Sequence, residues 1–397
     1  MTRTTFWLSV AAALVSGCGG SSGGGALGPP PPPASSRYSD VSSASLPTDV
    51  RPRMCMDVTA ADVDADGDLD LALAIEFGLP ALLRNDGNGV FSSTAADVPA
   101  GDGDNEDVLL ADFDGDGDLD LFAAHEDDGV HALLLNDGSG VFSDASNRIP
   151  VQSIANAAET TDVNGDGRLD ILLGNRGGNL LLLGQADGTF ASSPGALPGV
   201  ATTQDLLLVD VDNDADLDIF VANETANQLL INTNGSYVDE SAARLPPGVR
   251  ETREADAADV DNDGDFDIIV GNVAFVGAGS VANQLLINDG SGRFIDGSAP
   301  ALDATTNNAR SFTVRFADID ADGDADILSP ANQIGNGGEL FVWSNDGAGS
   351  FADASGLFNA PVDGSVFDVE FFDANGDGRL DLYFCHRTGS DQLYLAN

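Results

Sequence analysis

The residues best suited to chemistry are aspartates placed at every second position around a glycine. Asp62, Asp64, Asp66, Asp68 and Asp70 put five carboxylates in nine residues, with Gly67 at the sixth. The window returns as Asp112, Asp114, Asp116, Asp118 and Asp120, then as Asp162, Asn164, Asp166, Arg168 and Asp170. Further on come Asp210, Asp212, Asp214, Asp216 and Asp218, and Asp259, Asp261, Asp263, Asp265 and Asp267. The last two are Asp318, Asp320, Asp322, Asp324 and Asp326, and Asp373, Asn375, Asp377, Arg379 and Asp381. Oxygen donors at positions one, three, five and nine, around a turn, suit a hard cation, and calcium accepts six to eight oxygens in flexible geometry. Position seven is Asp in five windows and Arg168 or Arg379 in the others, as expected of a residue that ligates through its backbone carbonyl. Only Ala215 replaces the glycine at position six. An EF-hand requires Glu at position twelve, but Leu73, Ala123, Leu173, Val221, Val270, Ser329 and Phe384 stand there.

The windows start 50, 50, 48, 49, 59 and 55 residues apart, a period typical of repeat architectures. Within each unit, short apolar runs are separated by glycine turns. A first strand (Asp107 to Ala111, Asp205 to Val209, Phe312 to Phe316) leads into the acidic loop. A second and a third follow, and a fourth opens on an aromatic: Phe91, Phe142, Phe190, Tyr237, Phe294 or Phe351. This pattern predicts an all-β fold, a seven-bladed β-propeller of four-stranded antiparallel blades. The last unit ends at Asn397 after its third strand, whereas Arg37-Tyr38-Ser39-Asp40-Val41-Ser42 matches Val141-Phe142-Ser143-Asp144-Ala145-Ser146. The N-terminal strand is therefore expected to complete the last blade and close the ring, removing exposed edges.

Over residues 38–397 the Asp-x-Asp-x-Asp-Gly-x-x-Asp loops and the Asn-Gln-Leu-Leu-x-Asn-Asp-Gly-x-Gly-x-Phe segment resemble the FG-GAP/VCBS-type repeats of integrin α-chain propellers and their bacterial relatives. The resemblance implies a calcium loop between the first and second strands of each blade, on the face opposite the one that usually engages ligands. A literal Phe-Gly…Gly-Ala-Pro signature is absent, and all seven units carry the loop. Up to seven calcium ions are expected, in a structural role.

The net charge of −49 has a partly local origin, since 31 of the 65 acidic residues lie in the seven windows. The remainder still opposes nucleic acid and anionic lipid, which require basic patches. Residues 1–18 read as an export signal: Arg3, an apolar run from Phe6 to Val15, then Cys18. The segment resembles a bacterial lipoprotein signal with Cys18 as the lipidated residue, and Gly19 after it favours the outer membrane or cell surface. Residues 19–37 form a Gly/Ser/Pro-rich tether.

Two cysteines remain. Cys55 in the first unit and Cys385 in the last become neighbours once the ring closes, and export permits a disulfide; the equivalents of Cys385 are small residues, so a free thiol fits there too. Of the three histidines, His125 and His386 share a repeat position with Asn175, Asn223 and Asn272, which favours a structural role. No nucleophile-elbow serine or phosphate-cradling glycine loop occurs. The residues therefore point to binding: a monomeric surface adhesion or scaffold module for an extracellular protein or glycan, with an exported hydrolase or lyase on the same frame as the alternative. An apolar insertion at 273–282 containing Phe275 and Val276, with a smaller one at 332–339, is the candidate ligand loop on the face away from the acidic windows.

Overall fold

The computed structural model describes residues 37–48, 54–93, 103–127, 129, 131–275, 281–302, 307, 310–331, 338–358, 360–362 and 364–397. Cys18, the tether through residue 36, Val276 and most of the 332–339 insertion lie outside them.

Seven four-stranded antiparallel sheets form the ring. Blade one shows the pattern: Cys55–Ala61, Asp70–Ile75, Ala81–Asn85 and Phe91–Ser93, each pairing with the next. The second strands, such as Asp70–Ile75 and Asp218–Asn223, are buried along their whole length. Their alternate residues face opposite neighbours. Leu71 and Leu73 join Phe372, Tyr383 and Leu393 of blade seven, while Ala72 and Ala74 join Val108, Leu110 and Leu121 of blade two. The period-two pattern of a strand thus feeds two cores at once, and burial of both faces explains why these runs are continuously apolar.

The first strands ring the axis and are stitched to one another by carboxylates. Asp57 accepts the Val108 N–H at 3.0 Å, Asp107 that of Ala158 at 2.9 Å, Asp205 that of Ala255 at 2.9 Å, and Asp368 that of Val58 at 3.1 Å. Each of these aspartates lies five residues before its acidic window. The strand bulges just ahead of it, as at Cys55/Asp57 and Thr203/Asp205, and a bulge re-aims the following side chain.

Closure follows the predicted offset. Tyr38–Asp40 pairs with the last strand, Tyr38 opposite Ala396 and Ser39 opposite Leu395. The Ser42 hydroxyl accepts the Leu393 N–H at 2.9 Å, the bond that Ser146 makes with Leu133 in blade two and Ser241 with Leu229 in blade four. The sequence match between the chain's start and residues 141–146 is thus a match of hydrogen bonds. Cys55 and Cys385 form a disulfide between blades one and seven.

Two features differ from the sequence expectation. In blade six the first strand is only Arg315–Ala317, not Phe312 to Phe316. Phe312 instead stacks on Phe367 at 4.2 Å. Short helical turns also follow several outer strands, such as Ser42–Ser45 and Ser241–Arg244. An Asp two residues before the serine caps each start, with Asp40 on the Ser42 N–H and Asp239 on the Ser241 N–H.

Candidate metal centres

The seven acidic windows occupy the same place in every blade, between the first and second strands on one rim of the ring. Backbone conformation explains their composition. Position six is left-handed throughout, its glycines running from Gly378 at φ 78° to Gly117 at 101°, and Ala215 is held there at 72°. Position four is left-handed as well, at Ala65, Gly115, Gly165, Asn213, Asn262, Ala321 and Gly376. Five of these seven are Gly or Asn, a signal that the sequence reading did not use.

The position-one carboxylate closes the loop on itself. Asp62 accepts the N–H groups of Asp66 and Gly67 at 3.1 and 3.0 Å, and Asp210 those of Asp214 and Ala215 at 3.2 and 2.9 Å. Position nine is a buried pivot. Asp70 accepts the Val63 N–H on one oxygen and the Asn85 N–H on the other, at 3.3 and 2.8 Å. Asp120, Asp170, Asp218, Asp267, Asp326 and Asp381 repeat the arrangement. Burial pushes the Asp218, Asp267 and Asp326 carboxyls up to about 7, against the opposing effect of these backbone donors. Asp70, Asp120 and Asp381 rise to about 6 for the same reason. A carboxylate so placed is costly to ionise unless a cation stands beside it.

Position seven turns away from the loop. The Asp68, Asp118, Asp265 and Asp324 carboxylates sit where a side chain on Gly87, Gly138, Gly290 and Gly347 would be, in the hairpin between the third and fourth strands. Asp216 accepts the Asn234 N–H there at 2.8 Å, and Arg168 donates Nε to the Gly184 carbonyl at 2.9 Å. Asp and Arg at this position therefore both reach the hairpin, and Arg168 and Arg379 also pair with the position-five carboxylates Asp166 and Asp377.

The remaining carboxylates converge. Ligand-capable oxygens of Asp62, Asp64 and Asp66 lie within 4.8 Å of one another, as do those of Asp112, Asp114 and Asp120, of Asp210, Asp212 and Asp218, and of Asp259, Asp261 and Asp263. The Oδ1 atoms of Asp64, Asp114, Asp212 and Asp261, all at position three, are buried with no hydrogen-bond partner. Asp318 Oδ1, at position one, is in the same state. Such an oxygen is expensive to leave unmet, and a hard divalent cation among several carboxylates is the partner that this all-oxygen donor set fits.

On the opposite rim, Phe275 is 45% exposed. Its N–H donates to Glu251 at 2.6 Å, and its ring lies 5.7 Å from Phe312 with Arg310 over it at 4.6 Å. This stack edges the mouth of the central channel, whose wall includes Asp57, Asp107, Asp205, Phe312, Phe367 and Asp368. His131 accepts the His125 N–H at 3.2 Å and bonds Ser153 at 2.8 Å, a structural arrangement.

These features define a seven-bladed propeller with one acidic loop per blade, four of which bring carboxylates close enough that they could hold a metal ion. The FG-GAP-like repeat matches at residues 62–123, 162–221, 210–270 and 271–329, more than half of the chain, and the protein belongs to that family. No curated protein matches it. Among solved structures, the BP39L lectin from Burkholderia pseudomallei is similar at 14% identity and a TM-score of 0.54, over 87% of this chain and 96% of that one. A chain from the crystal structure of BBS1N in complex with ARL6DN, soaked with mercury, is similar at 12% identity and 0.53, over 86% and 91%. At these identities the likeness concerns the fold.

Proposed function

We propose that the protein is a calcium-stabilised binding scaffold of the cell surface. Calcium in the seven loops fixes the ring, and the opposite rim, with Phe275 at the channel mouth, engages an extracellular protein or glycan. The observation that carries the calcium reading is the set of buried, unpartnered position-three oxygens in loops of converging carboxylates. For the binding role the support is coarser: a propeller fold shared with a lectin, and an exposed aromatic with an adjoining guanidinium on the rim that the loops leave free. At the affinities usual for extracellular modules and millimolar calcium, mass action gives each site roughly 0.4–1.4 kcal/mol, or about 3–10 kcal/mol over the ring. That is comparable to the whole stability of a domain. Cys18 lipidation would hold the propeller to the envelope through the tether.

Two measurements test the proposal. Thermal unfolding in EGTA should show a Tm far below that in millimolar calcium chloride, and equal values after verified calcium removal would sink the calcium reading. Deleting residues 274–281, which spares the buried strand residue Val273 and the Ala282 carbonyl that accepts from Asn272, should leave the calcium-loaded Tm within a few degrees and abolish retention on a glycan array or of a surface-protein bait. Undiminished retention would place the ligand elsewhere.

A further inference from the structure

We infer that Arg84, Arg148 and Arg244 are built-in counter-cations of the loops in blades one, two and four. They hold those loops without an ion and weaken calcium there, so that blade five carries the tightest site. The inference rests on the calcium reading above.

Each guanidinium meets the carboxylate at position three. Arg84 pairs with Asp64, Arg148 with Asp114 at 3.3 Å and Arg244 with Asp212 at 3.2 Å, in every case through Oδ2. Each also reaches a carbonyl in the hairpin turn of the following blade. Arg84 donates to Ser139 and Gly140 at 2.9 and 2.8 Å, Arg148 to Gly188 at 3.4 Å, and Arg244 to Ser291. The turn glycines make room for this: a side chain on Gly140, Gly188 or Gly292 would begin 2.4, 2.7 or 2.4 Å from a guanidinium nitrogen.

In blade six Arg37 reaches the Asp320 carbonyl and Ser344 donates to the Asp320 carboxylate at 2.7 Å, whereas blade five has no such brace. Among the described residues no arginine forms an ion pair with Asp261, and the glycine across from it, Gly349, faces the Cβ of Asp261 itself at 3.5 Å. Blades three and seven lack the third carboxylate altogether, with Asn164 and Asn375 in its place and Arg168 and Arg379 beside Asp166 and Asp377. The loops thus carry different formal charge on one backbone frame.

The consequence follows from charge and valence. In the braced loops the guanidinium occupies Oδ2 and leaves Oδ1 buried and unmet, so ion and arginine can share the carboxylate, at the cost of one cation facing another. A unit charge several ångströms from a divalent ion in a half-exposed site shifts affinity by about tenfold. Calcium affinity in oxygen-ligand loops follows ligand charge in the same direction.

The test is calorimetric titration of the chelator-stripped full chain with calcium chloride, paired with Tm in EGTA. Wild type should show a tight step that Asp261→Asn removes. Arg84→Met, which keeps the aliphatic stem, should tighten one weak site about tenfold and lower the Tm in EGTA. Arg84→Lys, keeping the charge, should leave that site weak, and Arg250→Met, whose Asp296 partner lies outside the loops, should change neither readout. The inference is overturned if Arg84→Met leaves the isotherm unchanged or weakens it, or if the tight step survives Asp261→Asn. A flat wild-type isotherm is a different result, since it removes the calcium reading itself.

Discussion

The seam between blades seven and one and the two seams around blade six solve the same problem with different chemistry. At the first, the Cys55–Cys385 disulfide is joined by the Asp368 and Glu370 bonds to Val58 and Ala60 at 3.1 and 3.0 Å. Asn85 donates to the Ala374 carbonyl at 2.8 Å, and Glu76 takes both arms of Arg387 at 2.5 Å. Blade six has a three-residue first strand; it keeps the Asp256 bond to the Phe316 N–H and the Asn345 bond to the Val260 carbonyl, both at 2.8 Å, and adds a shielded ionic bridge in place of a covalent one. Arg315 reaches back to Glu254 at 2.9 Å and forward to Glu370 at 3.6 Å, all three largely shielded from solvent. Both kinds of seam share these stitches, but one adds a covalent link and the other a single arginine that spans both neighbours. The difference teaches that ring integrity here is uneven, so perturbations of similar size in sequence should differ widely in effect.

The largest effect should come from opening blade seven, which neither solution can offset. Removing residues 37–48 takes away the strand paired to Tyr394–Ala396, the Ser42 bond to Leu393 and the buried Tyr38 ring stacked on Phe358 at 4.8 Å. The exposed strand edge should then drive association. Size-exclusion chromatography should show aggregates, and a monodisperse, cooperatively melting truncate would refute the closure. Next in size is Arg315→Ala, which leaves Glu254 and Glu370 facing each other without a cation and should cost about 3–5 kcal/mol. Arg315→Met should cost less than the alanine variant, because its stem still fills the space; equal losses in denaturant melts would locate the whole effect in the lost charge. Reduction of Cys55–Cys385 should cost about 2–5 kcal/mol. The ring should nonetheless stay closed, since the hydrogen bonds of that seam remain, and loss of cooperative unfolding on reduction would show that the redundancy is not real.

Legibility in the sequence divided along similar lines. The loops, the blade count and the shared last blade could be read because each is a local pattern repeated at a fixed period, and Tyr38 and Ser42 carry the pattern across the termini. The aspartate stitch at Asp57, Asp107, Asp205 and Asp368 was equally periodic, five residues ahead of each window, but was overshadowed by the denser acid beside it. The arginine braces could not have been read that way. Arg84 lies in a third strand, while Arg148 and Arg244 follow fourth strands; only the fold brings them to the same point. Arg315 was hidden for another reason: its partners lie on the two neighbouring blades, 61 and 55 residues away in sequence.

The smallest expected effect concerns His386, which tests whether the covalent seam has a weakness of its own. Its side chain is fully buried in the second strand of blade seven, where Asn175, Asn223 and Asn272 stand in other blades and donate to nearby carbonyls at 3.1, 3.1 and 2.8 Å. Its backbone N–H is taken by Asp391 at 2.8 Å, and the other carboxylate oxygen of Asp391 by the Tyr383 hydroxyl at 2.9 Å. Burial lowers the imidazole from its ordinary value near 6.5 to about 4. Below pH 6.5 the unfolded chain therefore takes up a proton that the folded chain refuses. The contribution of neutral His386 is complete above that pH and is lost progressively as pH falls towards 4, to a limit of about 3 kcal/mol. His386→Asn removes the titration and supplies the amide that the other blades use, so its Tm should fall less steeply than that of wild type between pH 7 and 4.5. Parallel curves would mean that the imidazole is already solvated in the folded ring, and that the disulfide-bearing blade has no acid-labile point at this position.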